Sequence, residues 1–216
     1  MTDIAGWRVL VTAGGTREPI DPVRYIGNRS SGKMGNAIAA DAAGRGAVVT
    51  LVTTMEPPEV TAEIVRVETA AEMAEAVWSR VPEQDVVVMA AAVADFRPAE
   101  AHTMKLSRSD GPPLIVLEPA PDILAGVVER NQGAFLVGFA AETGSLDRAI
   151  EKAASKGVDV LIANDVLADG SGFGTVTNQV TVVMPDGSTD PWPLVSKAEV
   201  ASRLWDLVAD LRSLQG

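Results

Sequence analysis

The sequence has no cysteine and only one histidine, His102. The missing cysteines exclude disulfides, thiolate catalysis and cysteine-ligated metals. A single histidine and the absence of an HExxH pattern argue against a zinc site and a Ser-His-Asp triad. His102 has no neighbouring ligand in the sequence, so we expect it to be exposed rather than catalytic. The chemistry must then depend on lysine, arginine, asparagine and backbone dipoles.

Long apolar runs and an excess of basic residues are also missing. No apolar stretch reaches the roughly 18 residues that a membrane helix needs, and residues 1–4 lack the features of a signal peptide. Acidic residues outnumber basic ones by 29 to 18, so the net charge of −11 disfavours a nucleic-acid-binding surface. We therefore expect a cytoplasmic protein with no membrane or nucleic-acid partner. Its 216 residues, 47% of them hydrophobic, suit one large domain or two small ones.

Strand-like apolar runs alternate with segments of helical spacing. The predicted strands are 7–11, 48–52, 86–91, 136–138 and 160–163, and the predicted helices are 36–44, 73–81, 123–128 and 146–154. This alternation predicts a parallel sheet with helices on both faces. Gly44 and Gly46 are expected to end the first helix.

Two segments depart from the alternation. Residues 97–119 lack helical periodicity and contain Gly111-Pro112-Pro113, which predicts a long excursion in the form of a hairpin or a flap. The glycine-rich segment 169–177 precedes an alternating strand at 179–184, which predicts an antiparallel hairpin at the edge of the sheet. A capping box at Ser196–Glu199 then begins a closing helix, which we expect to serve packing rather than function.

The polar loop from Thr12 to Gly35 lies between the first strand and the first helix, where free backbone amides favour an anion. Residues 27–34 nearly match GxxxxGK[ST], but Met34 replaces the required Ser or Thr, which disfavours an ordinary P-loop NTPase. Ser30 and Ser31, with the amides that follow, can hold a phosphate at the start of the helix. Ser31 can equally be a simple helix cap, and both roles are compatible.

Other signals concern a nucleotide. Residues 13–16 only weakly resemble GxGxxG, and no acidic residue follows the second strand, so hydride transfer with NAD is disfavoured. Asp95 and Arg97 follow the third strand, at the end of the sheet where ligands bind, although a solvated pair is an equal alternative. Lys152 and Lys156 are four residues apart on one helix face, which favours an anionic ligand.

Several segments together resemble one family, the phosphopantothenate-cysteine ligases. The resemblance is closest to the bacterial CTP-dependent form, which is often fused behind a flavin-dependent phosphopantothenoylcysteine decarboxylase. The matching segments are GGTREPIDPVRYIGNRSSGKMG from Gly14, AAAVADFRP from Ala90, the lysine-bearing excursion at Lys105, PDIL from Pro121, VGFAAET from Val137 and KGVDVLIAND from Lys156. The resemblance implies a single Rossmann-like domain over residues 1–216, a flap at about 97–119 and a homodimer. Since no decarboxylase-like segment precedes Met1, we expect the ligase half alone.

The resemblance also implies a reaction of coenzyme A biosynthesis. The carboxylate of 4′-phosphopantothenate attacks the α-phosphate of CTP, which releases pyrophosphate and leaves an acyl-cytidylate. The amine of L-cysteine then attacks this anhydride, giving 4′-phosphopantothenoylcysteine and CMP. Mg²⁺ is expected with the triphosphate, but no protein ligands for it can be named. The preference for CTP over ATP rests on the resemblance alone.

Carried over by motif, Asn28 binds and processes the acyl intermediate, Arg24 holds the phosphopantothenoyl part, and Lys105 of the flap neutralises the triphosphate. An amide at Asn28 could donate to the acyl oxygen as charge develops. The family often shows KxKK in the flap, whereas this chain has Lys105-Leu106-Ser107-Arg108, which leaves the role of Arg108 open. The substrate loop also includes Gly14, Gly15, Ser30, Ser31 and Gly32. The residues implied around CTP are Met89, Ala90, Ala91, Asp95, Lys105, Pro121, Asp122, Ile123, Leu124, Phe139, Lys152 and Lys156.

Two other classes remain as alternatives. An NAD(P)-dependent reductase would consume reduced cofactor and would need a charged residue after the second strand. A nucleotide-sensing module would bind CTP without releasing pyrophosphate.

Overall fold

A computed structural model describes residues 3–142, 144–172 and 174–215. The strands, in chain order, are β1 (Arg8–Ala13), β2 (Arg17–Pro19), β3 (Tyr25–Gly27), β4 (Val48–Thr53), β5 (Glu63–Arg66), β6 (Val86–Met89), β7 (Phe96–Pro98), β8 (Leu117–Pro119), β9 (Phe135–Glu142), β10 (Val160–Asp165), β11 (Thr177–Asn178), β12 (Val180–Val183), β13 (Thr189–Pro191) and β14 (Val195–Ser196). The α-helices are α1 (Lys33–Gly44), α2 (Ala70–Trp78), α3 (Ile123–Arg130), α4 (Asp147–Ser155) and α5 (Lys197–Gln215). Short 3₁₀ helices cover Val81–Glu83 and Arg108–Asp110.

The main sheet has eight strands in the order β13-β12-β10-β9-β6-β1-β4-β5. The strands from β10 to β5 run parallel to one another. At one edge β12 pairs antiparallel with β10, and β13 pairs antiparallel with β12. The predicted Rossmann-like α/β fold and its antiparallel edge hairpin are thus confirmed.

Helices cover both faces of this sheet. Helices α1 and α5 pack on one face of the sheet, and α2, α3 and α4 pack on the other. Trp205 is fully buried, and its indole Nε1 donates to the carbonyl of Ile38 at 3.0 Å, which fixes α5 against α1. Gly35 lets α1 approach β1 closely, because a Cβ there would lie 2.6 Å from the oxygen of Thr12. The loop that precedes α1 is therefore held directly over the end of β1.

Most differences from the sequence prediction lie at the ends of elements. α1 begins at Lys33 rather than at residue 36, and the cap is not Ser31. The N-cap is Gly32 in the left-handed conformation, with φ 74° and no capping side chain, so the prediction of a serine cap was wrong. The left-handed turn brings the amide of Gly32 3.4 Å from Ser30 Oγ instead. At the other end α1 stops at Gly44, as predicted.

Other helix starts follow their caps. α2 begins at Ala70, earlier than residue 73, because Thr69 and Glu72 form a reciprocal capping box. Ser196 caps α5, since its hydroxyl accepts a hydrogen bond from the amide of Glu199 at 3.1 Å. β9 continues to Glu142, well beyond the predicted 136–138.

The excursion after β6 is a hairpin, as predicted. β7 and β8 pair antiparallel and form its base, and residues 99–116 extend from it. The hairpin is attached to the loop after β2, where Leu106 donates to Asp21 Oδ2 at 3.1 Å and Arg24 donates to the carbonyl of Leu106 at 2.6 Å. His102 is exposed, as expected.

Candidate active site

A cleft of about 690 Å³ opens where the parallel strands end. Open α/β sheets bind their ligands at this end, because helix N-termini and loops converge there. The cleft is lined by every residue that the resemblance implies around the nucleotide except Lys105: Met89, Ala90, Ala91, Asp95, Pro121, Asp122, Ile123, Leu124, Phe139, Lys152 and Lys156. Four residues of the first loop line it as well, namely Asn28, Ser30, Ser31 and Gly32.

Gly14 and Gly15 lie behind the cleft and position its loops. Gly14 has φ +91°, and a Cβ on it would lie 2.2 Å from Thr54 Oγ1, so only glycine fits. Its carbonyl accepts a hydrogen bond from the amide of Ala92 at 2.8 Å, and Gly15 bridges to Ala92 in a parallel sense. These contacts join the loop after β1 to the loop after β6.

Asn28 connects the same two loops through its side chain. Its Nδ2 donates to the carbonyl of Ala92 at 3.2 Å and to that of Val93 at 3.0 Å. Both N–H groups are directed at carbonyls, which fixes the orientation of the amide, and Oδ1 accepts no hydrogen bond from the described residues. Donation from Asn28 to an acyl oxygen would therefore require one of these carbonyls to be exchanged.

The two lysines of the α4 side are already neutralised by carboxylates. Lys152 Nζ lies 3.0 Å from Glu142 Oε1, and Glu142 is buried. Lys156 Nζ lies 2.7 Å from Asp122 Oδ2. Burial raises the pKa of Asp122, but hydrogen bonds from Lys156 and from the amide of Ala125 outweigh it and hold that pKa below its usual value. Asp122 also caps α3, so its ion pair joins two helix ends.

Asp95 and Phe139 complete this side of the cleft. The carboxylate of Asp95 is exposed and forms no hydrogen bond within the described part of the chain, although its backbone carbonyl accepts from Ala120 at 2.9 Å. Phe139 is half-buried in β9. Arg97, by contrast, pairs with Glu118 at 2.8 Å at the base of the flap and does not line the cleft.

Arg24 and Lys105 line a different cavity. Together with Leu106, Ser107, Arg108, Gly111, Pro112 and Pro113 they enclose about 830 Å³ beneath the flap. Arg24 pairs with the buried Asp21 at 2.9 Å. Burial raises the pKa of Asp21. This effect is outweighed by hydrogen bonds from the amides of Val23, Leu106 and Arg24 and by the charge of Arg24, so the pKa lies below its usual value. These two cations are thus separate from the cleft that the other predicted residues line.

Sequence reasoning missed several residues of the cleft. On its α1 and α5 side it is lined by Lys33, Met34, Asn164, Gly172, Gly174, Asn178 and Lys197. The body of α5 packs as expected, with Leu204, Trp205 and Val208 fully buried, while its first residue, Lys197, lines the cleft. The glycine spacing at 170–174 was a signal for a tight loop here, but nothing in the sequence marks Lys197 as buried.

Neither a protein metal cage nor a membrane segment is found in residues 3–142, 144–172 and 174–215. No three histidine or acidic side chains are gathered there as metal ligands. None of the helices in these ranges has the length and apolarity required to span a bilayer.

The open parallel sheet and the cationic cleft at its carboxyl end define a Rossmann-like α/β domain suited to an anionic ligand. Comparison with known proteins gives the family. Residues 4–211 match the DNA/pantothenate metabolism flavoprotein C-terminal domain, and the chain therefore belongs to this family.

Named relatives agree with this assignment. The chain is 47% identical over 223 residues to the coenzyme A biosynthesis bifunctional protein CoaBC of Mycobacterium tuberculosis, covering 95% of this chain and 53% of the relative. It thus spans about half the length of that relative. The crystal structure of the C-terminal domain of a CoaBC protein superposes with a TM-score of 0.80 at 38% identity and 97% coverage of both chains. A Cab2 mutant solved with phosphopantothenate-cysteine, at 17% identity, 97% and 88% coverage and a TM-score of 0.76, shares the fold.

Proposed function

We propose that this chain is a CTP-dependent phosphopantothenate-cysteine ligase acting in coenzyme A biosynthesis. One observation carries the proposal: four separate segments of the chain contribute to a single cleft, which is lined by Asn28, Asp95, Phe139, Lys152 and Lys156. These are the types of group that an acyl-nucleotide reaction requires, namely cations for phosphates, an aromatic face, acceptors for hydroxyls and an oriented amide. The name of the 47% identical relative supports the same pathway.

In the first step the carboxylate of 4′-phosphopantothenate attacks the α-phosphate of CTP, and the bond to pyrophosphate breaks. The cleft contributes by bringing two anions together, since its lysines and backbone amides offset the charge of the phosphates. Lys152 and Lys156 hold the nucleotide beside Phe139, and Asp95 accepts from its hydroxyl or amine groups. The carboxylate oxygen is then bonded to the α-phosphate of the nucleotide, so that CMP can leave when the acyl carbon is attacked.

Mg²⁺ would enter this site with the nucleotide. Magnesium generally keeps several waters and binds through phosphates plus one or two carboxylates, and it does not need a dedicated protein cage. The described residues fit that mode, because Asp95 is exposed at the cleft without a hydrogen-bonding partner there and no larger acidic cluster is present. When bound, the ion would offset the negative charge of the triphosphate.

In the second step the amine of cysteine attacks the acyl carbon and CMP leaves. Asn28 serves this step through Oδ1, because the two carbonyls of Ala92 and Val93 occupy its N–H groups. Oδ1 accepts a hydrogen bond from the attacking amine and so orients its lone pair. A carboxylate at this position would add charge next to the leaving nucleotide.

We further propose that the active form is a homodimer. The exposed apolar side chains include Val23 and Tyr25 next to Arg24, and Met104, Leu114 and Val116 on the flap. An exposed apolar patch of this kind is typical of a subunit interface. In the proposed dimer, Arg24 and Lys105 serve the cleft of the partner. Since the chain spans half of its bifunctional relative, we also propose fusion to or association with the flavin-dependent decarboxylase.

The test is a product assay with the purified chain. It is incubated with CTP, 4′-phosphopantothenate, cysteine and Mg²⁺, and pyrophosphate, CMP and the cysteine adduct are measured. We expect all three products in equal amounts, with CTP preferred in a nucleotide panel. Absence of pyrophosphate with every nucleotide would overturn the proposal. CTP binding without turnover would favour a sensing module, and oxidation of NAD(P)H would favour a reductase.

A further inference from the structure

Lys197 is a buried lysine that lines the cleft. It is the first residue of α5 and is 8% exposed. Its ammonium donates to the carbonyls of Thr175 and Gly172 at 2.8 and 3.2 Å. Among the described residues it has no carboxylate partner. A buried cation surrounded only by carbonyl dipoles is costly, and an anion beside it would lower that cost.

Lys33 approaches the same loop from α1. Its Nζ donates to the carbonyl of Gly174 at 2.7 Å, and it too has no acidic partner among the described residues. Burial, followed by the positive charge of Lys33, lowers the pKa of Lys197. Two like charges held at one loop repel each other, and an anion between them would offset the repulsion and part of the cost of burying the ammonium of Lys197.

The contrast with the other lysines of the cleft is direct. Lys152 and Lys156 each have a carboxylate partner, Glu142 and Asp122. Four lysines line the cleft, and of these Lys33 and Lys197 are the two whose positive charge is not paired with a carboxylate of the described residues. The attraction for a phosphate is therefore greater at Lys33 and Lys197 than at the paired Lys152 and Lys156.

Ser171 and Gly172, beside these lysines, are held in place by their neighbours. Ser171 is buried, and its Oγ lies 2.6 Å from Asn164 Oδ1 and 2.8 Å from Asn178 Oδ1. Gly172 has φ +95°, and a Cβ on it would lie 3.0 Å from the oxygen of Val166. The carbonyls of Gly172 and Gly174 thus accept from the ammonium groups of Lys197 and Lys33, respectively.

We propose that Lys33 and Lys197 form a phosphate subsite on the α1 and α5 side of the cleft, opposite Lys152 and Lys156. It takes a phosphate or diphosphate group, which can come from the terminal phosphates of the nucleotide or from the phosphomonoester of the acyl substrate. The assignment of the phosphate to one of these two sources rests on the proposed function, whereas the binding of a phosphate at this subsite does not.

Inorganic pyrophosphate and inorganic phosphate are titrated into the full chain by isothermal calorimetry. Lys197→Met and Lys33→Met are compared with Arg203→Met, which removes an exposed cation from α5 outside the cleft. We expect each lysine variant to weaken pyrophosphate binding about tenfold or more, equivalent to about 1.4 kcal/mol, and the arginine variant to leave it unchanged. Equal affinity in Lys197→Met, Lys33→Met and the wild type, or no binding to the wild type, overturns the subsite.

Kinetic constants then separate the two sources. A raised KM for CTP in both lysine variants assigns the subsite to the nucleotide, and a raised KM for phosphopantothenate assigns it to the acyl substrate. Circular dichroism and thermal melting check folding, and Lys33→Met, at an exposed position, tests the subsite if Lys197→Met unfolds. If the wild type binds pyrophosphate, both lysine variants weaken that binding, and the wild type shows no ligase activity, the subsite is supported while the proposed function is overturned.

Discussion

Lys156 Nζ lies 2.7 Å from Asp122 Oδ2, and this pair joins the C-terminal end of α4 to the N-cap of α3 at the rim of the cleft. Both side chains are substantially exposed, at 41% and 51%. Such a pair contributes at most about 1 kcal/mol to stability. Under the proposed function, the pair chiefly places a cation and a carboxylate at the cleft where the nucleotide would bind.

Lys156→Met should raise the KM for CTP about tenfold with little change in stability, because it removes a ligand contact worth about 1.4 kcal/mol but only a weak ion pair. The matched variant is Asp122→Asn, which keeps the cap of α3, since asparagine caps as well as aspartate. Steady-state kinetics and thermal melting measure both. A large loss of stability with an unchanged KM would make Lys156 a structural residue.

Asn28→Asp should still release pyrophosphate yet form little cysteine adduct. Aspartate cannot donate to the carbonyls of Ala92 and Val93, and its charge opposes the second step. We expect the adduct to fall by about 100-fold or more, as for loss of an oriented active-site amide. Quenched-flow analysis of pyrophosphate and adduct measures the two half-reactions, and Asn28→Ala separates the added charge from the lost contacts. Equal loss of both half-reactions in Asn28→Asp would contradict the assignment.

Lys105→Gln should depress the first step, because the flap then lacks the cation that neutralises the triphosphate. If the flap serves the partner, mixing Lys105→Gln subunits with Asn28→Asp subunits should restore activity through one intact cleft per heterodimer. The pyrophosphate burst and the activity of mixed subunits measure these effects. An unchanged burst would exclude the flap role, and a lack of complementation would place Lys105 at the cleft of its own subunit.

Asp21→Asn should loosen the flap and weaken the protein at neutral pH. The pKa of Asp21 is below its usual value in the folded protein. The charge of Asp21 therefore contributes to the free energy of unfolding above the unfolded pKa of about 3.9, and this contribution is lost as the pH falls through the folded pKa. The difference in melting temperature between the wild type and the variant should therefore shrink between pH 7 and pH 3. Limited proteolysis near Leu106 reports the loosened flap. A difference that is constant with pH would exclude the charge of Asp21 as its cause.

Gly35→Ala should destabilise the fold by about 1–3 kcal/mol, because a methyl group there overpacks α1 against β1. The added Cβ would meet the oxygen of Thr12 at 2.6 Å and the Cβ of Ala13 at 2.7 Å. Gly44→Ala is the control at the exposed end of the same helix, where nothing lies within 4 Å. It should be neutral or stabilise by up to about 1 kcal/mol. Urea denaturation measures both, and equal effects would contradict the close approach at Gly35.

The sheet could be predicted because strands that are buried on both faces of a sheet have continuous apolar runs, and the helices that cover those faces have apolar residues at helical spacing. The sequence predicted the flap because residues 97–119 lack both patterns. It failed at Ser31 because the left-handed turn at Gly32 depends on the packing of the loop over β1. Lys197 was missed for a related reason, since its partners are carbonyls 22 and 25 residues away that no local pattern connects to it.

The order of the strands has a consequence for how the chain assembles during synthesis. Starting from β1, the sheet extends through β4 and β5 on one side, and then through β6, β9, β10, β12 and β13 on the other. Each strand that emerges from the ribosome can therefore add to an existing edge, and none must insert between two strands that are already paired. The last helix, α5, then covers α1, so a nascent chain halted before Lys197 would still expose the apolar surface around Ile38 to chaperones.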